Sequence, residues 1–165
     1  MIKSIEDTRP IYVHYFRYND ENFIFDTNKF NPVKNIPGFG KPEGGYWACR
    51  EDELEGFMEF DGRWAETCGG WCRVNPHRFK LKENARVLYL RNKEDLRKLK
   101  AIECNSDRYL QIGAVTDFEA LSREYDAIEI LDINPFYYIL YGWDFNSILI
   151  MNPDVIETIE VSNEI

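Results

Sequence analysis

His14 sits in an apolar stretch, Tyr46 and Trp47 follow the glycine pair Gly44-Gly45, and Asp126, Glu129 and Asp144 supply acids toward the C-terminus. A histidine, aromatic planes and a carboxylate gathered in one pocket can hold a planar cationic ring and stabilise positive charge developing beside it. Each group also has a plainer use. An imidazole can be satisfied inside a core or on a sheet surface, and the two aromatics can simply pack. Asp144, after Gly142-Trp143, can cap a turn, and Glu129, between Ile128 and Ile130, can face water from a half-buried strand. Cys68, Cys72 and His77 are three soft ligands close together, but structural zinc sites usually leave two residues between paired cysteines, so no metal is expected. Cys72 with His77 as nucleophile and base lacks an orienting acid.

The elements that must hold these groups can be read from patterning. Residues 11–17 are β-branched and aromatic, with bulk on both faces, which predicts a central strand closed by Asn19-Asp20, and residues 22–26 suggest a second. Residues 31–45 hold three prolines and four glycines and read as a long ordered loop delivering the strand 46–50. A weak helix over 52–67 is interrupted by Gly56 and Gly62. Residues 78–82 and 85–91 read as consecutive strands, and Asn92 as the cap of a helix over 93–103 with Leu96, Leu99 and Ile102 on one face. Thr116-Asp117-Phe118-Glu119 has capping-box spacing for a helix to residue 125, followed by a strand at 127–131. Asn134-Pro135 opens a helix that runs through an aromatic packing stretch and that Gly142 can end in a left-handed conformation. Residues 145–151 carry the strongest strand signal, turning at Asn152-Pro153-Asp154 into 155–161. The sum is roughly six to eight strands with a few short helices, an α+β fold with a curved or split, mostly antiparallel sheet.

At 165 residues and 19.6 kDa the chain reads as one domain, residues 1–165, on a prior of about 150 residues per domain. Apolar residues at 44% and charged residues at 30% exclude disorder and fibrous repeats. Twenty Lys and Arg against 29 Asp and Glu give a net charge of -9, which opposes phosphate backbones and anionic membranes and favours a protein or small-molecule partner. No apolar run approaches the roughly 18 residues a membrane span needs, and the opening residues lack a signal peptide's apolar segment. The expectation is a cytoplasmic protein whose four cysteines, Cys49, Cys68, Cys72 and Cys104, are thiols.

A strand bearing His14, a loop delivering Gly44-Gly45-Tyr46-Trp47-Ala48, and a late strand beginning Ser147-Ile148-Leu149-Ile150-Met151-Asn152-Pro153-Asp154 together resemble the ADP-ribosyltransferase superfamily. Its three-part signature is a His or Arg on the first core strand, a Tyr or Ser on a second, and an acid near the start of a late strand. The resemblance spans nearly the whole chain on three short patches. It implies an ADP-ribosyltransferase-like fold with NAD as substrate. His14 matches the residue that hydrogen-bonds the adenosine ribose, and Tyr46 the tyrosine that stacks near nicotinamide. Trp47 adjoins that tyrosine, and Arg17, Lys41 and Arg50 flank the patches as donors to the pyrophosphate. The departure is Ser147, which stands where the family carries its acid. Asp144, three residues earlier, is preferred narrowly to Glu129 on the preceding strand. If neither approaches the pocket, the chain binds NAD without transferring anything.

The implied activity is mono-ADP-ribosyl transfer to an unidentified macromolecular acceptor, protein favoured, with NAD hydrolysis when no acceptor is present. Arg63, Trp64, Trp71 and the 31–45 loop are candidates for recognising that acceptor. No Gly-x-Gly-x-x-Gly follows a strand, which disfavours a dinucleotide-binding dehydrogenase. A reading from another class is a non-catalytic acidic binding module, an immunity or inhibitor protein that covers a basic partner surface.

Overall fold

Short β-branched and aromatic runs punctuated by Gly, Pro and Asn satisfy their backbones by pairing laterally. Seven do so in the computed structural model, which describes residues 7–17, 24–36, 40–53, 71–102, 116–136, 139–140, 142–143 and 145–159. They are β1 (Tyr12–Arg17), β2 (Tyr46–Arg50), β3 (Trp71–Leu81), β4 (Val87–Leu90), β5 (Ala127–Ile130), β6 (Ser147–Ile150) and β7 (Ile156–Thr158). They form one sheet in the order β4-β5-β6-β2-β1-β3-β7. Every pairing is antiparallel except β4 with β5. The fold is therefore α+β with a mostly antiparallel sheet. Among the described residues there is one α-helix, α1 (Phe118–Leu121), and no helix is long and apolar enough to cross a membrane.

The sheet is nearly divided between β1 and β2. They pair at Tyr12↔Arg50 and Val13↔Cys49, whereas β1 continues along β3 as far as Arg17↔Trp71, through an irregularity between His14 and Phe16. Continuing the β1–β2 register would set Tyr15 opposite Trp47, but the Trp47 carbonyl instead lies 2.6 Å from Nδ1 of His14. The strands β4-β5-β6-β2 and β1-β3-β7 are thus joined by a short register, with the His14 side chain bonded to β2 beside it.

The two faces of the sheet carry separate cores. On one, Leu88, Leu90, Ile128, Ile130, Leu149 and Met151 pack under α1 and under Phe136, Leu140 and Trp143. The other holds Tyr12, Tyr46, Ala48, Phe79, Ala127, Ile148 and Ile150, with Phe25 and Phe30 against them. Every residue of β5 and β6 is buried, as strands covered on both faces must be.

Several elements differ from their sequence expectation. Residues 24–26 form no strand, because Asp26 caps a single 3₁₀ turn, Thr27–Lys29. The segments 78–82 and 85–91 are consecutive strands as expected, within β3 and β4, although four strands separate them in the sheet. Asn92 does cap a helix with Asp95, but it is a 3₁₀ helix, Lys93–Lys98. The cap of α1 is Asp117 and not Thr116, since the Glu119 carboxylate accepts from the Asn35 N–H of the 31–45 loop and Asn35 Oδ1 accepts from Phe118 N–H. At 134–136 there is a turn where a helix was expected, although Gly142 has the predicted left-handed φ of 97°. Most of the expected 52–67 helix lies outside the described residues.

Candidate functional site

Tyr46 reaches its place through the glycine pair. Gly44 and Gly45 have φ of 76° and 70°, and a Cβ on Gly45 would stand 2.3 Å from Leu149 Cδ1. Only glycine allows both this left-handed backbone and so close an approach. The pair turns the chain out of the 31–45 loop so that Tyr46 points to the face of the sheet that also carries His14. There the His14 and Tyr46 rings stack, centroids 4.2 Å apart and 28° from parallel. The phenol extends over β1 toward β3, where its hydroxyl meets Nδ1 of His77 at 2.8 Å, and Nε2 of His77 meets the Thr158 hydroxyl at 3.0 Å. Phe25 and Phe79 stack on His77 from 5.1 and 5.2 Å.

This cluster is neutral. Burial lowers the pKa of His14, partly offset by its bond to the Trp47 carbonyl. Burial, then repulsion from His14, brings His77 down to about 4. Burial pushes the Tyr46 phenol upward, so it stays protonated. A carbonyl only accepts, hence Nδ1 of His14 carries the proton and Nε2 is the acceptor in the neutral ring.

Glu129 shares this face but is otherwise engaged. Its side chain is 2% exposed, and Arg50 grips it through Nε–Oε1 at 2.6 Å and a second guanidinium nitrogen on Oε2 at 2.9 Å. The Tyr12 hydroxyl donates to Oε2 at 3.0 Å. This bidentate, charge-assisted pair satisfies a carboxylate that burial would otherwise penalise. Glu129 does not face water as its flanking isoleucines suggested, and Arg50, expected as a pyrophosphate donor, is committed to it. Asp126 is likewise a brace: Arg86 and Asn152 donate to it, and the Arg86 guanidinium holds its pKa down at about 2.

Trp47, next in β2, points to the opposite face. Its ring meets Trp143 edge-on at 4.6 Å, and the Lys41 ammonium lies 4.4 Å above it. Trp47 and Lys41 therefore form a pair of their own, apart from the His14–Tyr46 stack. Trp143 is buried, and its indole N–H has no hydrogen-bond partner among the described residues. Asp144, Arg63, Trp64, Cys68 and Cys104 lie outside the described residues, as do the side chains of Arg17, Trp71 and Cys72. Cys49 is a buried thiol against the Val13 carbonyl. Among the described residues no group of three His, Cys, Asp or Glu side chains is placed to hold a metal ion.

Sequence reasoning considered His77 only as a ligand or base for cysteines, and left out Tyr12, Phe25 and Thr158. A usable signal was the alternation of His77, Phe79 and Leu81, which puts all three on one face of a strand. No family model, no curated protein and no solved structure matches this chain.

Proposed function

We propose that this protein consumes NAD, transferring its ADP-ribosyl group to a macromolecular acceptor, with protein favoured, and hydrolysing NAD when no acceptor is present. The observation that carries the reading is the stacked His14–Tyr46 pair, brought together by the neighbouring strands β1 and β2. The sheet order adds support: β1, β2 and β6 are consecutive neighbours, and the chain enters β6 just after Asp144. In this reading Tyr46 stacks near nicotinamide and His14 hydrogen-bonds the adenosine ribose. Asp144 supplies the negative charge, since both oxygens of Glu129 are engaged by Arg50 and Tyr12.

The chemistry is that of glycoside cleavage. The bond between nicotinamide and ribose breaks, its electron pair leaves with neutral nicotinamide, and the ribose passes through an oxocarbenium-like state that a nearby carboxylate stabilises. The acceptor's nucleophile, or water, forms the new bond at that carbon and releases a proton.

Nicotinamide release from NAD, with transfer of labelled ADP-ribose to lysate proteins, tests the reading. Wild-type protein should show both, and NAD at 100 Kd should stabilise the fold by about 2.7 kcal/mol. His14→Ala and Asp144→Asn should abolish turnover while remaining folded; full activity in both variants would reject the site. A second reading, an acidic module that binds a basic partner without catalysis, is favoured by the full engagement of Glu129 and the net charge of -9. It expects neither stabilisation by NAD nor turnover.

A further inference from the structure

We draw no further inference here: the strongest candidate, the buried indole N–H of Trp143 beside the Trp47–Lys41 pair, has no hydrogen-bond partner among the described residues, but nothing in the structure shows what ligand atom would reach it.

Discussion

Two polar clusters share one face of the sheet and handle burial in opposite ways. Around Glu129 the charge is retained and cancelled: a bidentate guanidinium and a phenol take up both carboxylate oxygens. Around Tyr46 charge is avoided, with two imidazoles depressed by burial and a phenol that stays protonated. A satisfied ion pair has little left to offer a ligand, whereas the second cluster gathers two imidazoles and a phenol with no buried charge to cancel. The difference separates a brace from a candidate site even though both hold the residue types that catalysis uses.

The contrast predicts that the first cluster fails hardest. Arg50→Ala leaves a buried carboxylate without its cation and should cost about 3–5 kcal/mol, read as a lower urea midpoint. Arg50→Met combined with Glu129→Leu should recover most of the loss, because the charge and its partner leave together. A double variant as unstable as the single would mean that Glu129 is not the reason.

Acid should reveal the second cluster at a different pH. The unfolded chain takes up a proton on His77 near pH 6.5, which the folded state refuses until about pH 4. Stability should therefore be full above about pH 6.5 and decline as the pH falls toward 4. Each unit is worth about 1.4 kcal/mol, and discounting for partial exposure leaves about 2 kcal/mol. His14, whose pKa is also depressed, adds in the same direction. Asp126, held at about 2, contributes stability that is lost only below the ordinary carboxylate range. Denaturant melts of wild type and His77→Gln between pH 2 and 7 separate these windows, and the variant should lose most of the upper decline. Identical curves would refute a neutral His77.

The smallest expected effect lies at Phe25, which stacks on His77 and tilts against Tyr46 with centroids 4.9 Å apart. Phe25→Ala should cost about 1 kcal/mol of stability while tightening NAD binding, because it uncovers the tyrosine ring. Weaker NAD binding would instead make Phe25 part of the ligand's seat.

Much of the local structure could be read along the chain. Asn92 caps the 93–98 turn, Asn152 caps the turn after β6, Gly142 takes its left-handed conformation, and the 46–50 and 147–150 strands stand where β-branched and aromatic runs end in turns. These features are set by side-chain and backbone contacts within a few residues, so the order of amino acids is enough to specify them. The candidate site was only partly readable. His14 and Tyr46 do meet, but Trp47 and Lys41 face the other way, because successive strand residues alternate between faces and the phase of that alternation depends on which face is covered.

What depended on the folded chain was long-range. Arg50 and Glu129 are 79 residues apart and became partners because β2, β6 and β5 lie side by side with matching register. β3 and β4, adjacent in sequence, were parted by four intervening strands, and His77 came to Tyr46 across β1. Strand propensity carries no record of which strand will be the neighbour. That choice is made when both faces of the sheet are buried at once, and it determined which acid became a brace and which histidine came to hold the tyrosine.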